Sequence, residues 1–404
     1  MPSIDRLFEL DRLARDEVPK YEKRRFAYDR IAGESGKHSV GIVGPRGVGK
    51  TVLLKQLTRA TPQSMYISVD TLEDADLFEV VRELSDGYSI RRFYLDEIHF
   101  QEGFESQLKK IYDFLDVRIV FTSSVALALR KSGYDLSRRA LLHTLHPFSL
   151  REYIYFRHGE LLPSLTINDL VNGEIPAELL RHGADFRQYL DGGSMPFALE
   201  EPKPIPLMRS ILDTIVARDI PMVMRLEVRE VDLLKKMITF IARSGIDGIN
   251  YSSISRNLGI TKYKAEQYLR AMQDTFVLHL VFPEGTNVLK EPKVTMALPY
   301  RLIENERDEC IGGLREDFVV DSLTVAGMTF HYLKSPRGQK RPDYMFRYND
   351  ERIVFEVGGK GKGYEQFKGV SADRKLVFAD GATINGNRRP LLSLGFLDEA
   401  RREP

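Results

Sequence analysis

The chain has 404 residues and a formal net charge of +1; 43% of its residues are hydrophobic and 29% are charged. This length exceeds one ordinary core and predicts two or three domains, and the composition is typical of a soluble globular protein. No apolar run reaches the ~18 residues of a membrane span, and the charged N-terminal segment does not resemble a secretory signal. Cys310 is the only cysteine, which excludes an internal disulfide and a cysteine-rich zinc site. We therefore expect a cytoplasmic protein without membrane contact.

The first 150 residues show an N-terminal helix followed by an alternation of strands and helices. Leu7, Leu10 and Leu13 lie at helical spacing and predict an amphipathic helix. The predicted strands are 39–43, 64–69, 92–95 and 117–122, and the predicted helices between them are 49–60, 75–84 and 104–115. Strands that alternate with helices form a parallel sheet with helices on both faces, so residues 1–150 are predicted to be an α/β domain.

The pattern changes after this domain. Residues 151–230 are predicted to be a mostly helical connector, and residues 231–300 a small helical domain that ends in a hairpin. Residues 301–404 return to strands, with the runs MTFHYL, DYMFRY, RIVFEV and KLVFA. Basic residues outnumber acidic ones from His331 to the end of the chain, which fits either an anionic partner or an ordinary solvated surface.

The segment GPRGVGKT matches the phosphate-binding pattern G-x-x-x-x-G-K-[ST], between an apolar strand and a helix-forming run. Glycines allow the backbone N–H groups to wrap around phosphate oxygens, and the start of the next helix favours anions. Lys50 is expected to contact the β- and γ-phosphates, and Thr51 to bind Mg²⁺. The predicted nucleotide-binding residues are Gly44, Pro45, Arg46, Gly47, Val48, Gly49, Lys50, Thr51 and Val52.

A second acidic and polar set follows in RRFYLDEIHF and VRIVFTSS. Asp96 is expected to hold Mg²⁺ directly or through water, and Glu97 to orient or deprotonate the attacking water. Ser124, or Ser123 before it, is a candidate sensor of the γ-phosphate, although the same residues could cap a following helix. Together with the phosphate loop, these residues predict binding and hydrolysis of ATP.

Arg138 and Arg139 follow in DLSRRALL. Phosphoryl transfer benefits from an arginine that meets the developing charge, so Arg139 is a candidate catalytic residue. The alternative is a pair of surface arginines without a catalytic role.

These motifs resemble a family of bacterial and archaeal AAA+ ATPases that carry a C-terminal domain of unknown function. The resemblance rests on GPRGVGKT, YLDEIH, FTSS and RRALLHTLHPFSLREY, and further on YLDGGSMPFAL and IVARDI. It assigns the sensor position to Ser124 and the family's arginine to Arg139, and Arg138 stands where the family usually has glycine. The family implies ATP and Mg²⁺ as cofactors, and it allows monomers, dimers or rings, so a homo-oligomer is possible.

The resemblance also implies a winged helix over residues 231–300, with helices at 251–258 and 261–274. A helix, a turn at Gly259 and a second helix form the helix-turn-helix layout. If this module binds DNA, the second helix would present its polar side chains to the duplex. Those side chains are Lys262, Lys264, Gln267 and Arg270. A module used only for packing between domains explains the pattern equally well.

Residues 301–404 resemble the restriction-endonuclease-like fold of PD-(D/E)xK nucleases. The corresponding acidic residues would be Glu316, Asp343 and Glu356, of which the last two could share one Mg²⁺. The lysine expected two residues after Glu356 is replaced by Gly358, so Lys360 or Lys362 would have to supply it. A shell that has lost nuclease activity and binds DNA or protein is the alternative.

Three hypotheses follow. The first is an AAA+-like ATPase coupled through its C-terminal half to a DNA or protein partner. The second is an ATP-gated nuclease, and the third is a slow nucleotide switch in which binding matters more than turnover. The sequence names neither the partner nor the oligomeric state.

Overall fold

A computed structural model describes residues 3–72, 75–125, 139–224, 226–245, 248–285, 291–334 and 341–398. The chain divides into two compact units, Met1–Pro147 and Phe148–Pro404. Of the helices in the described ranges, none is long and apolar enough to cross a membrane. The predicted subdivision of the second unit at residues 230 and 300 stays a prediction.

The first unit contains a five-stranded parallel sheet flanked by helices, as the sequence predicts. Its strands are β1 (Ser39–Val43), β2 (Ser64–Ser68), β3 (Arg92–Asp96), β4 (Arg118–Ser123) and β5 (Ala140–Thr144). Its helices are α1 (Ile4–Glu17), α2 (Tyr28–Ala32), α3 (Lys50–Ala60), α4 (Leu77–Tyr88) and α5 (Phe104–Phe114). Every residue of β1 is buried, which is typical of a central parallel strand covered on both faces.

The strand order is β2-β3-β4-β1-β5, so β4 lies between the strand before the phosphate loop and the strand that ends in the acidic pair. Because parallel strands share one carboxyl edge, this order brings the ends of β1, β4 and β3 to the same edge. The sequence does not predict β5, whose partly exposed LLHT segment lacks a buried strand's apolar pattern.

Helix α1 confirms the predicted N-terminal helix but buries a different face. Leu7, Asp11 and Ala14 are its buried residues, whereas Leu13 is 50% exposed. Asp11 accepts a hydrogen bond from the backbone N–H of Tyr66 at 2.8 Å, and this contact satisfies an outer donor of the edge strand β2. The buried face of α1 therefore meets the edge strand β2 through Asp11, and it includes Leu7 but not Leu13.

The second unit is α/β, with a C-terminal sheet that follows a helical segment. Its helices are α6 (Leu150–His158), α7 (Ile167–Asn172), α8 (Gly183–Gln188), α9 (Pro204–Thr214), α10 (Ile220–Met224), α11 (Val228–Arg243), α12 (Tyr251–Leu258), α13 (Lys262–Asp274) and α14 (Arg307–Val325). Its strands are β6 (Leu278–Val281), β7 (Lys293–Met296), β8 (Phe330–Tyr332), β9 (Tyr344–Tyr348), β10 (Glu351–Gly358), β11 (Arg374–Ala379) and β12 (Arg388–Pro390).

Strands β8 to β12 form one mixed sheet in the order β12-β11-β10-β9-β8. The pairs β8–β9 and β9–β10 are antiparallel, whereas β10–β11 and β11–β12 are parallel. Helix α14 packs against β10 and contributes Leu314, Phe318 and Leu323 to the core of this unit. The antiparallel pair β6–β7 follows α13 and forms the predicted hairpin.

Candidate functional site

The phosphate loop connects β1 to α3 and requires glycine at two positions, one because of its backbone conformation and one because of a close contact. Gly49 has φ of 89° immediately before α3, which begins at Lys50; this left-handed conformation is unstrained only for glycine. A Cβ atom on Gly44 would lie 2.2 Å from the carbonyl oxygen of Leu145, so only glycine fits there. Gly49 thus leads directly into the N-terminus of α3, which has Thr51 and Val52 in its first turn, and a helix N-terminus favours anions.

Lys50 is buried and lies across the loop. Its Nζ atom donates hydrogen bonds to the carbonyl oxygens of Gly44 and Pro45, both at 2.9 Å. The loop itself is fixed from outside by the buried Arg25, which donates to the carbonyl oxygens of Val48 at 2.6 Å and His146 at 2.7 Å. The ammonium group of Lys50 therefore lies at the phosphate loop.

Asp96 lies at the end of β3 and is 3% exposed. One carboxylate oxygen accepts from the hydroxyl of Thr122 at 2.5 Å, and the other accepts from the hydroxyl of Tyr66 at 2.8 Å. Burial, and then the charge of Asp96, raises the pKa of Tyr66 far above its usual value, so the phenol stays a proton donor. The two donors orient the carboxylate and leave it further lone pairs for a cation or water.

Glu97 follows with φ of 52°, an uncommon conformation for a residue other than glycine. Its backbone N–H donates to the hydroxyl oxygen of Thr122 at 2.8 Å. Its Oε2 atom lies 3.3 Å from the hydroxyl of Ser124 and 3.2 Å from Nδ1 of His99. The turn therefore aims the carboxylate toward the end of β4.

The structure brings the phosphate loop, the acidic pair and the candidate sensor to one edge of the sheet. The N–H of Gly44 donates to the carbonyl oxygen of Ser123 at 3.3 Å, which joins the loop directly to the end of β4. Ser124 is the next residue and contacts Glu97. The predicted site residues of the phosphate loop, the acidic pair and Ser124 therefore lie close together.

Arg139 does not join this group. It immediately precedes β5, where its carbonyl oxygen accepts from the N–H of Ser39, at the opposite end of β1 from the phosphate loop. Five residues of strand separate the two ends by roughly 13 Å at about 3.3 Å per residue. Its guanidinium contacts Asp113 at 3.3 Å and lies 5.7 Å from the ring centre of Tyr112. Arg139 therefore lies far from the phosphate loop of its own chain, its candidate catalytic role stays a prediction, and Arg138 lies outside the described residues.

Sequence reasoning missed four residues of the site: Arg25, Tyr66, Thr122 and His99. Thr122 and His99 belong to the quoted motifs FTSS and DEIH, so their positions next to predicted site residues were an available signal. Tyr66 and Arg25 have no comparable signal, because their contacts depend on the order of the strands and on the path of the N-terminal segment.

The second unit holds a cluster of carboxylates and lysines at the candidate nuclease site. Glu316 of α14 pairs with Lys293 at 2.6 Å and accepts from the hydroxyl of Tyr344 at 2.9 Å. Glu356 of β10 is 2% exposed and pairs with Lys362 at 2.5 Å. Of the two candidate lysines, Lys360 and Lys362, it is therefore Lys362 that contacts Glu356.

Asp343 lies between these groups and accepts a hydrogen bond from the N–H of Val357 at 2.8 Å. Burial raises its pKa to about 8, with further contributions from Glu316 and Glu356 and an opposing one from Lys293. Burial also raises the pKa of Glu356, whose Oε2 atom is buried and has no hydrogen-bond partner among the described residues. Crowded negative charge and an open oxygen fit a cation bound by Asp343 and Glu356.

No group of three or more His, Cys, Asp or Glu side chains could hold a metal ion within the described part of the chain. Any cation at the cluster would therefore need water or substrate oxygens to complete its shell.

The raised pKa of Asp343 predicts that the contribution of this carboxyl group to stability falls as the pH rises from about 4 to about 8. The folded state retains a proton there that the unfolded chain releases, so the free energy of unfolding falls by up to about 1.4 kcal/mol per pH unit. Asp343→Asn should flatten this dependence. The melting temperature, followed by circular dichroism in EDTA at several pH values, measures it, and parallel curves for both proteins would contradict the assignment.

The polar side chains of α13 are exposed but already paired within the chain. Lys264 contacts Glu230 at 2.6 Å, Arg270 contacts Glu266 at 2.8 Å, and Lys262 pairs with Glu291. Gln267 donates to the hydroxyl of Tyr263 at 2.8 Å. Fully exposed ion pairs contribute about 0–1 kcal/mol, but the side chains of Glu230 and Glu291 are only 17% and 21% exposed, so phosphate groups would have to displace partly buried carboxylates.

Two parts of the chain match known families. Residues 36–154 match the family described as an AAA domain, and residues 183–297 match a domain of unknown function (DUF8612). The uncharacterized protein MJ1637 of Methanocaldococcus jannaschii is 27% identical over 427 aligned positions, covering 93% of this chain and 89% of that protein.

Several solved structures are partly similar. ORC1 of Aeropyrum pernix in complex with DNA is 17% identical, with 77% of this chain and 97% of ORC1 covered and a TM-score of 0.32. A RuvB mutant of Thermotoga maritima is also 17% identical, with coverages of 69% and 90% and a TM-score of 0.30. AMPPCP-bound DnaA of Aquifex aeolicus is 14% identical, with coverages of 66% and 88% and a TM-score of 0.24. TM-scores this low carry no functional argument. The family match supports an AAA domain over residues 36–154, in agreement with the α/β fold of the first unit and its five-stranded parallel sheet.

Proposed function

We propose that the first unit binds ATP with Mg²⁺ and hydrolyses it. The observation that carries this proposal is the meeting of the phosphate loop, Asp96, Glu97 and Ser124 at one edge of the sheet. Its test is phosphate release from Mg-ATP by the purified chain, and a Lys50→Ala variant should lose it.

Each residue has a role that its position supports. Lys50 meets the β- and γ-phosphates, and the N–H groups of the loop from Gly47 to Thr51 surround them. Glu97 orients the attacking water and accepts its proton, while Ser124 lies beside it to contact the γ-phosphate. Transfer of the γ-phosphoryl group to water then yields ADP and phosphate.

The residues present fit a magnesium ion. Asp96 is an oriented carboxylate with unused lone pairs, and Thr51 offers a hydroxyl at the start of α3. Oxygen ligands of this kind, completed by water and phosphate, suit Mg²⁺. The ion would neutralise charge on the phosphate oxygens.

Arg139 supports a proposal about assembly, since it lies too far from the site of its own subunit. If it serves the site of a neighbouring copy, turnover per subunit should rise with protein concentration. Arg139→Ala should remove that rise and leave the basal rate at high dilution unchanged. Phosphate release measured over a hundredfold dilution series tests this, and a rate independent of concentration in the wild type would argue against a catalytic role in trans.

We further propose that α13 of a winged helix offers DNA a basic surface through Lys262 and Lys264. Fluorescence anisotropy with labelled duplex DNA at low salt should show binding that weakens when both lysines become alanine. Lys109 and Lys110, which are exposed on α5 in the first unit, provide the matched double-alanine control. Equal affinity of the two double variants for DNA would show that Lys262 and Lys264 of α13 do not form a DNA-binding surface.

A nuclease is the second candidate function, and the contact between Lys362 and Glu356 favours it. Lys362 lies in the loop that follows β10, and its ammonium group pairs with the carboxylate of Glu356. Plasmid and single-stranded DNA should then be cut in the presence of Mn²⁺. Asp343→Ala and Lys362→Met should each stop the cutting, whereas Lys360→Met should not. Intact DNA across substrates, with and without ATP, would favour a shell that only binds.

A further inference from the structure

His99 is a buried side chain next to the candidate general base. It lies in the short turn Ile98–Phe100 that follows Glu97, and its side chain is 2% exposed. Nδ1 of the imidazole is 3.2 Å from Oε2 of Glu97, and the ring lies 4.5 Å from the ring centre of Phe100. Burial beside a carboxylate holds the ring in one orientation.

Both ring nitrogens of His99 also lie near hydroxyl groups at the end of β4. Nε2 is 3.5 Å from the hydroxyl of Ser124, and Nδ1 is 3.4 Å from the hydroxyl of Ser123. Ser124 also lies 3.3 Å from the carboxylate of Glu97. The carboxylate, the imidazole and the Ser124 hydroxyl therefore form a closed triangle of contacts.

Ser124 has a single hydroxyl proton, which it can donate either to the carboxylate of Glu97 or to Nε2 of a neutral His99. With the imidazole proton on Nδ1, His99 donates to Glu97, and Nε2 is an acceptor for the Ser124 hydroxyl in the second of these two arrangements. The network, rather than an observed hydrogen, assigns this tautomer. If Ser124 turns its hydroxyl toward a phosphate oxygen, its proton is withdrawn from both Glu97 and Nε2, while the contact between Nδ1 and Glu97 stays in place.

We propose that His99 is a positioning residue that ties the carboxylate of Glu97 to Ser124. It fixes the base at the end of β4, beside the residue that would contact the γ-phosphate. Contact between nucleotide and Ser124 then changes the hydrogen bonding of His99 and, through it, the orientation of Glu97. This inference rests on the proposed ATPase function and adds a coupling that the phosphate loop alone does not supply.

The test compares three replacements of His99 in the full chain. His99→Ala should lower kcat by about 10- to 100-fold, the cost of a misplaced catalytic group, and leave the affinity for ATP nearly unchanged. His99→Asn places an amide N–H near the position of Nδ1 and should recover much of the rate. His99→Gln places its amide near Nε2 and should recover less. Melting temperatures and titrations with a fluorescent ATP analogue confirm that the variants fold and bind.

His143 provides the matched control. It is a half-buried histidine in the same unit whose Nε2 lies 3.0 Å from Glu34, and His143→Ala should keep the wild-type kcat. Wild-type kcat in His99→Ala, or equal rates for the Asn and Gln variants, would overturn the inference. Failure of the proposed function is a different result: the wild type would show no turnover that depends on Lys50. Turnover that depends on Lys50 but not on His99 overturns only the coupling.

Discussion

Glu97→Gln should lower ATP turnover by about 10²- to 10⁴-fold, the usual contribution of a positioned general base. Glutamine has almost the same shape, but its amide cannot accept a proton from the attacking water. Its side-chain oxygen can still accept from Ser124 and His99, so the site should keep its geometry. Nucleotide should therefore bind with nearly the wild-type affinity and remain as ATP.

Single-turnover hydrolysis of radiolabelled ATP, with nucleotide affinity measured in parallel, checks this expectation. Glu102→Gln is the control, because Glu102 is an exposed carboxylate in the turn just beyond the site. A Glu97→Gln variant that turns over at the wild-type rate would remove Glu97 from the chemistry. Loss of nucleotide binding in that variant would show a role in the ground state instead.

The second large effect is expected for Lys50→Ala, which should reduce both the affinity for ATP and its turnover. Loss of one strong donor to developing charge costs about 10²- to 10³-fold in rate. The variant also removes the two hydrogen bonds that Lys50 makes to the carbonyl oxygens of Gly44 and Pro45. The loop should nevertheless fold, since Arg25 still holds it at Val48.

Titration with a fluorescent ATP analogue measures the affinity, and phosphate release measures the rate. Lys55→Ala is a matched control on the same helix. Nζ of Lys55 pairs with the carboxylate of Glu17 at a distance of 2.6 Å, and it does not contact the phosphate loop in that arrangement. It should bind and hydrolyse ATP as the wild type does. Equal losses in the two lysine variants would point to damage of α3 rather than to phosphate contact.

The core of the site could be predicted because its signals are local. The phosphate loop occupies eight consecutive residues, and the acidic pair directly ends a strand of the predicted sheet. Ser124 could be predicted as well, since it follows the next strand along the chain. What the sequence could not supply is that β4 lies between β1 and β3, and this order is what places Ser124 against Glu97.

What the sequence could not supply depends on contacts between distant segments. Arg139 precedes an unpredicted strand that runs parallel to β1, so it lies at the end of that strand opposite the phosphate loop. Asp11 is buried in α1 because it accepts a hydrogen bond from the N–H of Tyr66 on another element. Of the two candidate lysines, Lys362 is the one that pairs with Glu356. None of these follows from helical or strand periodicity.

The structure of the second unit bears on both of its proposed functions, the nuclease and DNA binding. Its mixed sheet and the cluster around Asp343 keep the nuclease hypothesis testable, while the ion pairs on α13 show that DNA would have to compete with Glu230 and Glu291.

An ATPase that only switches between nucleotide states would bind ATP tightly and hydrolyse it very slowly. Fast turnover without a partner would exclude that alternative.

Steady-state phosphate release by the purified full chain tests the central claim most directly, with Mg-ATP supplied over a range of concentrations. The expected result is saturable release by the wild type that EDTA stops and that both Lys50→Ala and Glu97→Gln lack. Release at the same rate by the wild type and the two variants would contradict the proposal that this site hydrolyses ATP.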